Sequence, residues 1–579
     1  MSRHHTDPAV LTTERTIALG EVMSEGVSGV YRALVHGSGE PHTVRDDLMP
    51  DAEQVWRTAP RRPVLALTHV TDLQLADVHS PARFEFFNRE FTDPRFELLV
   101  PTQRPNEALT VHAVEATIAT LNRITSAPVA GGPLAVALTT GDAIDNGQWN
   151  ELLAVLALFD GGEVSLAPPA GGPVRYEGVQ RPDWPDRVFW QPDGEGVLGP
   201  DMFAAGYGYP RHPGVLDRAL HAFTAGGLGM PWLTCYGNHE GLIQGVGRMT
   251  PELAAAMVAG SKPLALPDDL DRDTAYETFV SGAHTFLKGP QREITPDPLR
   301  RPVSRAEFVQ AHFRPGARPL GHGFGERNRR DGTAYYSYDL AAPAAPGGAI
   351  RFIALDTTCL LGGADGAIDA EQLAWLDGQL REVHSRHLGP DGEPVTSSGD
   401  DRYVILFSHH GLDTLTNHRG SGVFDGTGYV AAGPDGAAVP VVPAADLLAL
   451  VHRYPNVLAW INGHTHTNGV RARVSPHRSP DGGRGGFWEI TTCAIVDWPC
   501  QTRIIELIDI SDGGRGQLAL ACTMVDHDSP LAPGAAFTQR ELAALHRELA
   551  ANIPMPGYGA RLAGAPSDRN VILPLRVGG

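Results

Sequence analysis

The stretch Thr139-Thr140-Gly141-Asp142-Ala143-Ile144-Asp145-Asn146-Gly147 decides the fold. It follows the apolar run Leu134-Ala135-Val136-Ala137-Leu138, which reads as a buried strand. A helical pattern starts just beyond it, over 151–158. Asp142 therefore falls at the carboxyl end of a strand, where open α/β sheets keep their ligands. Gly141 lets the backbone turn sharply there. One strand-end Asp is more often a helix cap or a turn residue. Four further clusters shift that balance: Thr71-Asp72-Leu73-Gln74, Gly237-Asn238-His239-Glu240, Ser408-His409-His410-Gly411 and Gly463-His464-Thr465-His466. Each follows an apolar run, and each carries side chains able to bind a metal.

Working outward, 63–71 reads as a mostly buried strand ending at Asp72. Residues 107–124 read as a helix, with Val111, Val114, Ile118 and Leu121 at helical spacing. Strand, helix and strand at this separation make a βαβ unit and imply parallel pairing. The alternation resumes with strands at 335–339 and 350–356, a helix over 369–387 capped by Asp369, and a strand at 403–408. A helix over 445–452 and a strand at 457–461 lead to Gly463. Strands at 487–492 and 503–508 close a sheet, and 539–551 is a C-terminal helix. The fold class is α/β.

The domain reading is an N-terminal extension over 1–60, a catalytic domain over 61–510, and a C-terminal segment over 511–579 packed on it. Two insertions interrupt the catalytic domain. Residues 160–213 are rich in Gly, Pro and Trp and lack periodicity, as expected of a loop region covering the site. Residues 245–335 hold helical pieces such as 251–259. The Gly/Pro-rich segment 419–443 reads as a loop, 215–223 as a helix, and 229–236 as a strand.

A net charge of −20 disfavours binding to nucleic acid or anionic membranes, although a metal site can still draw a phosphate against that field. The five cysteines are scattered and none has CxxC spacing, which argues against a disulfide framework or a thiolate zinc site. No stretch reaches the ~18 apolar residues of a membrane span, and the first residues lead into no apolar signal segment. The expectation is a cytoplasmic protein with a small-molecule partner.

Carboxylate, amide and imidazole donors suit borderline and hard metals. Two-metal phosphoester chemistry needs a bridging carboxylate, neutral imidazoles and open positions. Asp142 fits the bridge; Asp72, Asn238, His409, His464 and His466 fit the shells. From Asp72 to His466, the order Asp-x-x, Gly-Asp-x-x-Asp, Gly-Asn-His-Glu, His and Gly-His-x-His resembles the calcineurin-like metallophosphoesterases. The resemblance implies a four-layered α/β/β/α sandwich and two Mn, Fe or Zn ions at a binuclear centre. It implies that Asp142 bridges them, that Asp72 and His466 bind the first, and that Asn238, His409 and His464 bind the second. It implies that His239 contacts the scissile phosphate and protonates the leaving group, with Glu240 and Asp145 orienting the ligands. A phosphatase or phosphodiesterase using a metal-held hydroxide follows.

The departure is Gln74, where the family carries His. Its amide oxygen is a weaker ligand, and the alternatives of ligand and hydrogen-bonding bystander stay open. His79, in Asp77-Val78-His79, is a substitute if it folds back. His410 is second to His409. Asp356 and His322 read as structural, and Arg329-Arg330 as a solvated pair. Two other functions remain: a degenerate member that binds phosphate without turnover, and a metal hydrolase of non-phosphate esters or amides.

Overall fold

Strand Arg62–Val70 is buried from Leu65 onward, and the rest of its sheet is built around it. It pairs in parallel with Leu134–Thr139, which pairs in parallel with Trp232–Thr234. On its other side the sheet turns antiparallel, through Gln501–Asp509, Gln517–Asp526 and Val571–Arg576. Thr43–Val44 closes that edge, parallel to Val571–Arg576. This computed structural model describes residues 10–577 apart from 168–173, 421, 425–428, 432–438, 479–483, 513–515 and 556.

A second mixed sheet has six strands, in the order Tyr336–Ala341, Ala349–Ala354, Tyr403–Phe407, Val457–Asn462, Arg484–Thr491 and Gly469–Arg478. The middle pairings, from Ala349–Ala354 to Arg484–Thr491, are parallel. The outer strand at each edge is antiparallel.

Side-chain alternation along a strand assigns the faces. Ile405 and Phe407 join Leu67, Leu138 and Leu233 of the first sheet in one core. Val404 and Leu406, one residue out of phase, join Leu376, Leu380 and Leu447 in another. The two sheets therefore share a seam. Helices Ala370–Glu382 and Ala444–Val451 cover the far face of the second sheet. Helices Thr110–Leu121 and Trp149–Asp160 pack on the first sheet through Val114, Ile118, Leu152 and Val155. Each such side chain, fully buried, contributes about 1.5–3 kcal/mol. The architecture is a mixed α/β sandwich, as the sequence implied.

Local chemistry explains where the elements stop. The Asp369 carboxylate accepts the Gln372 amide at 2.9 Å and starts its helix. The region 107–124 divides into a 3-10 turn, Glu107–Leu109, and the helix Thr110–Leu121. The expected helix 215–223 ends at Ala219, and Phe223–Ala225 instead pairs with Gly162–Val164. The expected strand 229–236 keeps only Trp232–Thr234; Gly229 and Pro231 are poor strand formers. Of the expected loop 419–443, Gly422–Phe424 and Tyr429–Ala431 pair as antiparallel strands, and much of the remainder lies outside the described residues.

The chain's two ends enter the first sheet. Residues 511–579 supply Gln517–Asp526, Val571–Arg576 and the helix Gln539–Ala551. The first sixty residues supply Thr43–Val44 and an antiparallel hairpin, Arg15–Glu25 with Val30–Ser38. All five cysteines are buried and unpaired with one another. Among the described residues no helix is long and apolar enough to cross a membrane.

Candidate metal centre

The parallel strands of both sheets deliver the singled-out loops to one place. Ligand atoms of Asp72, Asp142 and His409 lie within 4.8 Å of one another, as do those of His409, His410 and His464. The loops are tightly turned. Asp72, Gln74, Asp142, His464 and His466 have φ of 51°, 43°, 50°, 68° and 57°. For residues other than glycine this left-handed region is sparsely populated and costs on the order of 1–3 kcal/mol each. Surrounding bonds hold them there: the Gln74 amide donates to the Asp142 carbonyl at 2.8 Å, and the His464 amide to the Asp72 carboxylate at 3.1 Å. Strain concentrated in donor-bearing loops points to a functional site.

Each imidazole is oriented by the partner of its other nitrogen. His409 Nδ1 donates to the Thr140 carbonyl at 2.7 Å, since a carbonyl can only accept. Its Nε2 then faces Asp142 Oδ2 at 3.0 Å. His466 Nδ1 donates to Asp497 Oδ2, and its Nε2 lies 3.4 Å from Asp72 Oδ1. His239 Nδ1 donates to the Asp145 carbonyl at 2.7 Å, leaving Nε2 toward the site, 3.8 Å from Asp142 Oδ2. His410 differs: Nε2 donates to the Ala364 carbonyl and Nδ1 is bonded to the Thr357 hydroxyl, both at 2.8 Å. Both its nitrogens are engaged, so of the adjacent pair His409 is the available donor.

Two buried oxygens here have no hydrogen-bond partner, Gln74 Oε1 and Asn238 Oδ1, and His409 Nε2 has only its ion pair with Asp142. Buried polar atoms are rarely left unpaired, and an ion is one of the ordinary explanations. Asn238 spends its amide nitrogen on the Gly245 carbonyl at 2.9 Å. Gln74 Nε2 lies 3.1 Å from His239 Nε2 and 3.3 Å from His466 Nε2. The backbone also closes in. A Cβ on Gly237 would stand 2.3 Å from Asp142 Oδ1, and one on Gly463 2.3 Å from Asp72 Oδ2.

The field favours positive charge. Burial opposes charging His409, but Asp142 and then Asp72 push it up to about 9. Burial likewise opposes charging His466, which Asp72 and Asp497 raise to about 9. Asp142 would rise through burial, yet His409 and His239 hold it well below the usual carboxylate range. Glu240, pushed up to about 7 by burial and then by Asp142, accepts the amides of Gly237, Asp142 and Ala143 at 2.7–2.8 Å. It ties the Asp142 turn to the Asn238 turn.

Other sequence candidates have other places. His79 Nε2 accepts the Glu177 amide at 3.0 Å, and Asp77 pairs with Arg300 at 2.7 Å. Asp145 orients His239 through its backbone carbonyl, while its carboxylate pairs with Arg83. His322 stacks on Trp232 at 3.7 Å and bonds Asp160, Asp356 pairs with Arg305, and Arg329 and Arg330 pair with Glu326 and Asp331. Two site residues escaped the sequence reading. Asp497 is bonded by His466 and, at 2.7 and 3.0 Å, by Arg104. Its signal was present, an apolar run Ala494-Ile495-Val496 closing on a carboxylate. Arg104, within the irregular stretch before Glu107, had none.

A cavity of about 140 Å³ opens beside the centre, lined by Gln74, Arg104, Asp145 and His239. No known family model matches the chain, and no curated protein is significantly similar to it. Among solved structures, a dimetal phosphatase from Danio rerio aligns with 80% of this chain and 100% of its own, at TM-score 0.32 and 11% identity. A likeness that slight carries no weight.

Proposed function

We propose that this protein is a metal-dependent phosphoester hydrolase with a binuclear centre. One observation carries the reading: ligand atoms of Asp72, Asp142 and His409 converge within 4.8 Å of one another, and Gln74 Oε1 and Asn238 Oδ1, on the loops beside them, are buried without partners. Asp72, Gln74 and His466 would hold one ion, Asn238, His409 and His464 the other, and Asp142 both. Donors of oxygen and nitrogen without thiolate suit Mn, Fe or Zn. Bound ions would polarise the phosphoryl oxygens and lower the pKa of water.

The chain's own residues do the rest. Asp497 and the Thr140 carbonyl hold the Nδ1 protons of His466 and His409, so that Nε2 of each is the atom that would give up its proton to an ion. Glu240 holds the two turns in register. His239, free of the carboxylate pair on its Nδ1 side, presents Nε2 to the 140 Å³ cavity, where it would give a proton to the departing oxygen. Small phosphate mono- and diesters both remain substrates of this reading.

A second reading has its own observation. Gln74 Nε2 sits against the Nε2 atoms of both His239 and His466, the atoms that catalysis and metal binding require. If Gln74 keeps them, the protein binds phosphate without turning it over. The test is metal content by elemental analysis on protein purified without chelator, with bis-p-nitrophenyl phosphate turnover after adding Mn²⁺. About two ions per chain and metal-dependent turnover support the hydrolase. One ion or none, with no turnover in excess Mn²⁺, supports the phosphate binder. Turnover of p-nitrophenyl acetate but of no phosphoester would move the protein to carboxylic ester chemistry.

A further inference from the structure

A second cavity, of about 580 Å³, adjoins the candidate centre. Pro101 and Arg104 line both cavities. Its size falls within the range of small-molecule pockets, roughly 300–1,000 Å³. Its walls come from three segments that meet only in the fold: Phe91 from the stretch before Pro101, Met202, Phe203 and Tyr207 from the 160–213 insertion, and Met555 and Tyr558 from near the C-terminus. Four are aromatic and two are thioethers. Aromatic rings favour stacked or edge contacts with another ring, and methionine sulfur packs well on ring edges. Phe91 and Met202 are half exposed, at 50% and 52%, so apolar surface is held open to water at this cavity.

The polar side of the cavity is tied to the centre. Arg104 is pinned by Asp497, whose carboxylate also holds His466. Tyr558 faces the same carboxylate. A molecule spanning the two cavities would thus have a charged end beside Arg104 and His239 and an apolar end among the rings.

We propose that the larger cavity receives the organic part of the substrate, and that this part is a bulky aromatic group. The proposal rests on the phosphoester reading and narrows it to aryl phosphoesters. It makes Phe91 and Met202 specificity-determining residues.

The test compares 2-naphthyl and phenyl phosphate, each as monoester and as methyl diester, on Mn²⁺-loaded protein. The two leaving groups are of similar acidity, so the ratio of their kcat/KM values reads the pocket. The expected ratio is about tenfold in favour of naphthyl, the scale set by apolar pocket contacts. The double variant Phe91→Ala/Met202→Ala should bring it near one; both side chains are half exposed, so the fold stands. A wild-type ratio near one, or a preference retained in the variant, overturns the proposal. If no ester is turned over, fluorescence titration with 2-naphthyl phosphate separates the two ideas. Binding weakened about tenfold in the double variant upholds the pocket while the hydrolase reading fails. Equal binding by both proteins overturns the pocket as well.

Discussion

His466 Nδ1 lies 2.5 Å from Asp497 Oδ2, closer than its Nε2 lies to Asp72 Oδ1 at 3.4 Å. A carboxylate held well below its ordinary range, burial notwithstanding, by Arg104 and His466 can only accept. Nδ1 therefore keeps its proton, and an ion would replace the second proton, which the carboxylates Asp72 and Asp497 hold on the ring. Asp497→Asn would let the ring exchange tautomers. The expected outcome is a metal affinity about 10–100-fold weaker, read by titration of the metal-free protein. Wild-type affinity in that variant would show that Asp497 does not set the ligand.

His239 is held by a backbone carbonyl rather than by the carboxylate pair. Its removal should leave the ion shells intact. His239→Ala is expected to keep its metal content while kcat falls on the order of 10²–10⁴-fold. The check is elemental analysis beside steady-state rates on a phosphoester. Full activity in the variant would rule out its role as the proton donor.

Gln74 offers its Oε1 as a donor and sets its Nε2 against two imidazoles, His239 and His466. Gln74→Ala removes both the amide oxygen and the nitrogen that sits against two imidazoles. If the oxygen is a ligand, exhaustive dialysis should take the variant from about two ions per chain to about one. If the amide is only an obstruction, the variant keeps both ions and turns over faster. Metal analysis after dialysis, paired with a rate, distinguishes these outcomes.

A pH dependence far from the centre follows from Glu548. Burial pushes it up to about 7, although the Tyr31 hydroxyl donates to it at 2.8 Å. Its unfolded value is near 4.5. The folded protein holds this proton more tightly, so the stability it contributes is complete below about pH 4.5 and is lost as pH rises through 7. Glu548→Gln mimics the protonated acid. Relative to wild type, the variant should gain up to about 3 kcal/mol between pH 4.5 and 8, measured by denaturant unfolding. A difference that does not change with pH would refute the assignment.

The sequence disclosed the parallel core and its loops well, because strands buried on both faces read as short apolar runs that close on polar clusters. Asp142, Asp72 and His409 were legible for that reason. The two ends of the chain were less so. Gln517–Asp526 is buried almost throughout and carries the same apolar-run signal, which the sequence reading passed over. Thr43–Val44 is too short to carry one. His79 shows the limit at the site itself. Its Asp-x-His spacing suggested a ligand, but a buried arginine, Arg300, takes Asp77, and the Glu177 amide takes Nε2 of the ring. The choice between His409 and His410 required tertiary partners, Thr140 against Ala364 and Thr357, that lie far away in sequence.

The hydrogen bond between the His464 amide and the Asp72 carboxylate joins positions 392 residues apart. During synthesis the two aspartates leave the ribosome with most of the chain still to come, and the imidazoles that complete their surroundings arrive only after residue 466. If the centre holds ions as proposed, their full set of donors does not exist until residue 466 has been made. On the proposed reading, loading would come late in biogenesis, and a chain truncated before residue 466 would display the carboxylates without the imidazoles that complete the donor set.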